Sequence, residues 1–331
     1  MTKNPSSKKA ILLILAVLTI LTAIPFQTAN AQILEITVTT DKHEYSANEN
    51  VNINGTLKFN GSPVSNVLIG LEVRDREGQP FIFRTLPCGT ITQTNWLINI
   101  TQLYPCNSNG TPTYNFQKGQ TVWLFCTVKN FDPYDDHYAI IYVTLYDPYN
   151  TPILARYLTA QTIAKESSVS IFTSIIKIET AMPSGTYQLY ASIFSGYPQN
   201  KGLPYCPEKM TNLTVVTSSP YPPPPPTPKD GTYQTSYHIS SQVRLGNFTA
   251  YVSAYHRGIT ATASTIYIAV LKGDINNDKT VNFKDAILLG AAFGSQPDDP
   301  NWNKNADLNG DGVINYKDAI ILGANFGSTG Y

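Results

Sequence analysis

The alternation of apolar and polar residues predicts a chain built mainly from β-strands. Between about residues 33 and 270, short alternating runs such as 51–59 and 67–74 are separated by turn residues, and no convincing helical period occurs. A period of two places one face of each strand on a core, and short strands separated by regular turns are typical of immunoglobulin-like β-sandwiches. We therefore predict a mainly β fold with two such sandwiches.

The order of recurring segments predicts that the second sandwich is inserted in the first. Two opening segments are followed by two closing segments, at 44–51, 115–122, 184–192 and 245–253. This order predicts one sandwich from 33–92 plus 231–270, with a complete sandwich, 95–217, between its halves. Such an insertion is tolerated because the entropy of closing a loop grows slowly with its length. The alternative is one full sandwich flanked by two fragments.

Two other segments are predicted to lie outside these domains. Residues 1–31 combine a basic start, an apolar run and small residues before Ala31, which predicts a secretory signal peptide. A retained membrane anchor is the alternative. Residues 218–230 are rich in proline and predict a stiff linker of polyproline type. We expect a secreted or cell-surface protein with no membrane span after cleavage of the signal.

The predicted export and the composition limit the partners of the chain and the roles of its cysteines. The chain has 23 Lys and Arg and 23 Asp and Glu, and this zero net charge argues against a nucleic-acid partner. Four cysteines without a Cys-x-x-Cys motif indicate disulfides rather than zinc. Three pairings are possible, and the pair that we expect is Cys106–Cys206. A free buried thiol is the alternative for Cys126.

The sequence marks no catalytic site. The one suggestive cluster, Asp135, Asp136 and His137, falls in a turn between two strands, where a solvated turn is the simpler interpretation. The chain contains no nucleophile elbow, phosphate loop or His-Glu-x-x-His motif. The carboxylate pair of an O-glycosyl hydrolase leaves no sequence mark, so that activity stays an alternative.

Two C-terminal repeats contain the residues that predict a metal-binding site. Residues 274–295 and 307–328 are offset by 33 positions, and 14 of 22 aligned residues are identical. Each begins with a twelve-residue loop that has side-chain oxygens at positions 1, 3, 5, 9 and 12 and a backbone carbonyl at position 7, which together form the oxygen cage of a Ca²⁺ site. The predicted ligands of two Ca²⁺ ions are Asp274, Asn276, Asp278, Thr280, Asn282 and Asp285, and Asp307, Asn309, Asp311, Val313, Asn315 and Asp318.

The two loops differ at the sixth position. An EF-hand loop turns sharply there and favours glycine. The second loop has Gly312 but the first has Lys279. We predict that the first loop binds Ca²⁺ more weakly. A short apolar helix follows each loop, and no helix of comparable length precedes it.

The duplicated loop–helix unit with Asp at its twelfth position resembles a type I dockerin. The resemblance covers about residues 273–327, within a predicted module at 271–331, and implies a small all-α fold with two EF-hand-like units. It also implies Ca²⁺-dependent folding and a cohesin-like partner on a scaffold or surface protein. Positions that contact the partner in the family correspond here to Phe283, Lys284, Gly290, Tyr316, Lys317 and Gly323. Similar copies would allow binding in two orientations.

Three functions are compatible with these features. The first is a non-catalytic exported protein that docks through its dockerin, with the sandwiches as presenting or adhesive modules. The second is a carbohydrate-binding component of a polysaccharide-degrading assembly, with Trp96, Trp123 and tyrosines as candidate sugar contacts. Core packing is the simpler role for those rings. The third is a glycoside hydrolase with an unmarked site.

Overall fold

A computed structural model of the chain describes residues 31–215 and 228–331. Nearly all of the predicted signal peptide and most of the predicted proline-rich linker lie outside the described residues. Within the two described ranges, no helix is long and apolar enough to cross a membrane.

Strands dominate the described residues, and two helices lie near the C-terminus. The strands are β1 (Leu34–Thr40), β2 (Glu44–Tyr45), β3 (Asn50–Phe59), β4 (Ser62–Pro63), β5 (Val67–Arg74), β6 (Pro80–Cys88), β7 (Ile98–Cys106), β8 (Asn115–Phe116), β9 (Thr121–Asn130), β10 (His137–Tyr146), β11 (Pro152–Ile163), β12 (Ser168–Lys177), β13 (Gly185–Phe194), β14 (Lys209–Val215), β15 (Thr232–His238), β16 (Gln242–Val243), β17 (Gly246–His256), β18 (Ile259–Ala269) and β19 (Thr329–Gly330). The helices are α1 (Phe283–Ala291) and α2 (Tyr316–Asn325). The predicted mainly β fold class with a small helical C-terminal module is confirmed.

One sandwich is formed by strands from two distant parts of the chain. One of its sheets has the order β1-β3-β15, with β4 also on β3, and the other has the order β2-β18-β17-β5-β6. Strand β15 pairs antiparallel with β3, from Thr232 opposite Thr56 to His238 opposite Asn50. Strand β17 pairs with β5 in the other sheet. We call this unit the split sandwich.

The intervening residues 98–215 form a second pair of sheets, the continuous sandwich. Its sheets have the orders β11-β10-β13-β14-β8 and β12-β9-β7. Strand β9 alternates between buried and partly exposed residues, and its buried side chains, including Val122, Leu124 and Val128, enter the core of this sandwich. Along the chain, the strands of the continuous sandwich lie between the two groups of strands that form the split sandwich, and the division into domains stays a prediction.

A close backbone approach in the split sandwich requires glycine. A Cβ at Gly55, in the centre of β3, would lie 2.1 Å from the ring of Tyr233 and 2.2 Å from the carbonyl oxygen of Thr37. The Tyr233 hydroxyl donates a hydrogen bond of 2.5 Å to that same carbonyl. The side chain of Tyr233, on β15, therefore crosses β3 at Gly55 and connects β15 to β1.

The two sandwiches meet at a buried polar and aromatic contact. Arg84 on β6 donates from Nε to Glu208 Oε2 (2.8 Å) and from Nη2 to Oε1 (2.5 Å), and its guanidinium lies 3.6 Å from the ring centroid of Tyr190. Beside it, Phe83 and Tyr142 stack with centroids 3.9 Å apart. A buried bidentate ion pair is orientation-specific, so it fixes how the sandwiches pack.

The cysteines differ from the expected pairing. All four are buried free thiols in the structure, and no Cys106–Cys206 bond is formed. Cys206 and Cys126 belong to the core of the continuous sandwich, whereas Cys106 ends β7 and forms a bridge with Pro112. Burial raises the pKa of Cys126 and of Cys206 to about 12, which favours the protonated thiol at both positions.

Candidate calcium-binding and docking site

Each C-terminal loop leads into its helix through the same capping arrangement. The Asn282 side chain accepts a hydrogen bond from the Lys284 backbone N–H, and the Asp285 carboxylate accepts one from the Asn282 N–H. Asn315 and Asp318 repeat this capping box at the start of α2. Asn and Asp at these positions satisfy N–H groups that a helix start leaves without partners, so the loop sequence determines where each helix begins.

The aspartate at the twelfth position organises each loop from inside. Asp285 is fully buried, and its Oδ1 accepts hydrogen bonds from the N–H groups of Ile275 (2.8 Å) and Asn276 (3.2 Å). Asp318 is equally buried and accepts from Leu308 (2.9 Å) and Asn309 (3.2 Å). A buried carboxylate with these partners holds the start of the loop against its end.

The carboxylates of the first loop converge. Asp274, Asp278 and Asp285 each place an oxygen within 4.8 Å of the others. Burial raises the pKa of Asp274, and the neighbouring Asp285 and Asp278 carboxylates act in the same direction, while backbone N–H groups oppose the shift. Carboxylates gathered this closely repel one another. A hard divalent cation would relieve that repulsion, and these donors suit Ca²⁺.

The remaining predicted ligands of each loop are neighbours in space. In the first loop, the Asn276 amide donates to Asp278 Oδ2 (3.1 Å), and the Asn282 amide donates to the Thr280 carbonyl (3.3 Å). The second loop repeats the pattern, with Asn309 on Asp311 (3.0 Å) and Asn315 on Val313 (3.1 Å). In each loop, neighbouring members of the predicted ligand set thus contact one another, and among the described residues the convergence of three carboxylates is found in the first loop.

The sixth position has a left-handed backbone in both loops but carries a different residue in each. Lys279 has a left-handed φ of 64°, and Gly312 has a φ of 80°. This conformation costs little for glycine but strains a residue that has a Cβ. In the first loop, the Lys279 carbonyl accepts a hydrogen bond from the Gly330 N–H (2.9 Å). The C-terminal residues therefore support the strained turn, a contact that the repeat pattern did not predict.

The first two turns of each helix present an exposed apolar pair. Phe283 is 75% exposed and Ile287, one turn later, is 70% exposed. Tyr316 and Ile320 are each 65% exposed. The isoleucines were not among the predicted contacts, although their spacing of four residues from the aromatic ring places them on the same helix face. An exposed apolar pair on each helix is typical of a protein-binding surface.

The other predicted partner contacts lie beside these pairs. Gly290 and Gly323 are exposed, and no atom lies within 4 Å of a Cβ built on either. The Lys284 ammonium lies 3.1 Å from Asp278 Oδ2, and the Lys317 ammonium lies 2.9 Å from Asp311 Oδ2. These hydrogen bonds lower the pKa of both aspartates. Each lysine therefore links the calcium loop to the exposed helix face.

A family model matches this part of the chain. Residues 272–326 match the dockerin type I domain. This module is a type I dockerin. A dockerin supports calcium-dependent docking to a cohesin, and the match covers the two loops, both helices and the exposed pairs.

The chain resembles the following solved structures only weakly. The C-terminal domain of wzt has 12% identity and a TM-score of 0.31, over 40% of this chain and 83% of that one. The alkylpurine DNA glycosylase AlkC of Pseudomonas fluorescens has 12% identity and a TM-score of 0.28, over 38% of this chain and 32% of that one. A β-glucosidase from Listeria innocua has 10% identity and a TM-score of 0.25, over 37% of this chain and 16% of that one. These scores support no functional inference, and no curated protein sequence matches the chain.

The histidine turn between β9 and β10 is held by local hydrogen bonds. His137 Nε2 lies 2.8 Å from Asp132 Oδ2, and the Asn130 amide donates to the Asp135 carbonyl (2.9 Å). Asp136 accepts from the Lys165 N–H (2.9 Å). The His137 hydrogen bond lowers the pKa of Asp132. Each of these groups has a structural partner, as expected of an ordinary turn.

Proposed function

We propose that this chain is a non-catalytic exported protein that attaches through its dockerin to a cohesin-like domain of a scaffold or surface protein. The observation that carries the proposal is the pairing of each calcium loop with an exposed aromatic–isoleucine pair on the following helix. Capping joins loop and helix, so loss of calcium from the loop would displace the helix that bears the contact residues.

Two Ca²⁺ ions would be held by the two predicted sets of six ligands, one set per loop. The ions would offset the repulsion among the loop carboxylates and fix the loops that start α1 and α2. The two contact surfaces are similar, with Phe283, Lys284 and Gly290 on one and Tyr316, Lys317 and Gly323 on the other. Both surfaces are exposed, which supports binding in either of two orientations.

The sandwiches would present or extend the dockerin rather than carry a reaction. The dockerin shares a hydrophobic core with the split sandwich, because Ile275, Leu289 and Leu322 belong to the same cluster of buried side chains as Val51 and Tyr267. The dockerin is thus packed directly against the split sandwich. We propose that this contact fixes the direction in which the sandwiches project from a cohesin-bearing surface.

Binding of the mature full-length chain to a panel of purified type I cohesin domains tests this function. We expect binding with calcium, its loss with a chelator, and its recovery when calcium is restored. Replacing both aromatic residues, Phe283→Ala with Tyr316→Ala, should abolish binding, whereas either change alone should preserve one orientation. Tyr134→Ala removes an aromatic ring that is 82% exposed in the continuous sandwich and serves as the matched control. Binding that survives the double substitution would contradict the proposed surface.

A further inference from the structure

An aromatic row crosses the outer face of the sheet β12-β9-β7. Phe125 on β9 lies opposite Tyr104 on β7 and opposite Phe172 on β12. Residues 122, 124 and 126 of β9 point into the core, so by alternation Trp123 and Phe125 point outward. We call Tyr104, Trp123, Phe125 and Phe172 the aromatic face.

The four rings form two stacked pairs. Tyr104 and Phe125 have centroids 5.0 Å apart and planes 14° apart, and Trp123 and Phe172 have centroids 4.9 Å apart and planes 25° apart. Phe172 is 43% exposed, and the other three rings are half-buried. Trp96, in contrast, packs against the core of the same sandwich. Both tryptophans were candidate sugar contacts in the sequence analysis. The strand register places Trp123 on the outer face of the sheet.

A row of uncharged polar side chains lies beside the aromatic face. Thr127, two residues after Phe125, pairs across the sheet with Gln102 and Ser170. The Thr127 hydroxyl donates to Gln102 Oε1 (3.2 Å) and lies 2.9 Å from the Ser170 hydroxyl. These groups are at least partly exposed, so hydroxyl and amide groups are available alongside the rings.

The charge on this sheet also restricts the partner. Strands β7, β9 and β12 contain no acidic residue, and their two lysines, Lys129 and Lys177, lie at the ends of the strands, away from the rings. The Lys129 ammonium lies 4.8 Å from the ring centroid of Phe131. Within these three strands, the centre of the face thus combines aromatic rings with hydroxyl and amide groups and has no charged side chain. Two cations of neighbouring strands reach the backbone of this sheet, Arg156 at the Ser174 carbonyl (2.6 Å) and Lys209 at the Thr101 carbonyl (2.8 Å).

We propose that the aromatic face binds an uncharged polysaccharide chain. A neutral sugar polymer carries apolar C–H surface and hydroxyl groups along its length, and these match the aromatic row and the polar row respectively. Its lack of charge matches the centre of the sheet. This inference goes beyond cohesin docking, since calcium and the dockerin residues have no part in it.

Native affinity electrophoresis of the mature full-length chain tests the proposal. The gels would contain a soluble cellulose derivative, xylan, galactomannan or amylopectin, with polygalacturonate as the acidic comparison. We expect retardation by at least one neutral polymer, unchanged by a chelator. Loss of a stacking contact is worth about tenfold in binding, so Phe172→Ala should weaken retardation by about that factor.

Control variants separate binding from folding. Phe172→Tyr keeps the ring and should retain binding, and Tyr138→Ala removes an exposed ring from β10, in the opposite sheet. Thermal unfolding of each variant should match the parent within a few degrees. Failure of every neutral polymer, stronger binding to polygalacturonate, or a parent dimer that Phe172→Ala dissociates would each overturn the proposal. Loss of cohesin binding with retained polysaccharide binding would contradict the proposed function alone.

Discussion

The two calcium loops have nearly the same sequence but different surroundings. The first loop contacts the C-terminal strand β19 through a bridge between Thr280 and Thr329. Strand β19 also pairs with β16 (residues 242–243). Both loops have the same pair of backbone hydrogen bonds at their eighth position. In the second loop, Ile314 accepts from the Gly294 N–H and donates to the Ser295 carbonyl. In the first loop, Val281 accepts from the Gly327 N–H and donates to the Ser328 carbonyl. Among the described residues, the added strand belongs to the first loop.

Several differences between the repeats lie where the surroundings differ. Lys279 and Thr280 replace the Gly and Val of the second loop beside β19. Asn325, which replaces Ala292, accepts a buried hydrogen bond of 3.0 Å at its Oδ1 from the Ser46 hydroxyl of the split sandwich. The comparison teaches that the two copies differ where their neighbours differ, while the predicted ligands are nearly the same in both.

The largest expected effect comes from removing the buried twelfth-position aspartates. Asp285→Ala and Asp318→Ala each remove three backbone hydrogen bonds to a charged acceptor, and we expect a loss of about 3 kcal/mol in dockerin stability. Calorimetry should show one Ca²⁺ instead of two in either variant. The site left in Asp285→Ala should bind more tightly than the site left in Asp318→Ala; equal affinities, or a tighter first loop, would refute the predicted order.

Deleting residues 329–331 removes the support that is specific to the first loop. The hydrogen bond from Gly330 to Lys279 and the pairing with β16 are lost, which at about 1 kcal/mol per bond should weaken first-loop Ca²⁺ binding roughly tenfold. The measurement is calorimetry in the Asp318→Ala background. The same deletion in the Asp285→Ala background is the control and should change the second loop less than twofold.

Exchanging the sixth-position residues tests the left-handed turn itself. Gly312→Lys should weaken the second loop by about 1 kcal/mol, since a Cβ at positive φ is strained. Lys279→Gly should improve the first loop by a smaller amount, because the lower strain is partly offset by the greater flexibility of unfolded glycine. Titrations of both single variants measure this difference. An unchanged affinity in Gly312→Lys would remove strain as the reason for the predicted order.

The smallest expected effect concerns the contact of the second repeat with the split sandwich. Asn325→Ala introduces the residue found at this position of the first repeat and removes the bond to Ser46. Ser46 keeps its hydrogen bond from the Lys272 N–H, so the loss should be only about 0.5 kcal/mol. Thermal unfolding should report the loss while calcium stoichiometry and cohesin binding stay unchanged. A stability equal to that of the parent would show that this contact contributes nothing measurable.

Many strands and the duplicated loops were readable from local patterns, whereas the predicted contact residues came from the resemblance to a dockerin and did not include Ile287 and Ile320. Period-two alternation marks β3 and β9, and the Asn-x-x-Asp spacing marks both the ligands and the caps of α1 and α2. The predicted Cys106–Cys206 pairing was wrong, because cysteine pairing depends on which loops meet in space. The structure instead places Cys206 in the core with Cys126.

The sequence by itself determined the elements whose cause is local: alternation in strands, loop ligands at fixed spacing, and helix starts capped within four residues. The tertiary structure decided what depends on contacts between distant residues. It decided that Trp123 rather than Trp96 lies on an outer sheet face, and that Lys279 receives support from Gly330. It also decided that Asn325 meets Ser46, which lies 279 residues away along the chain. Such contacts follow from strand register and packing, and no short window of sequence records them.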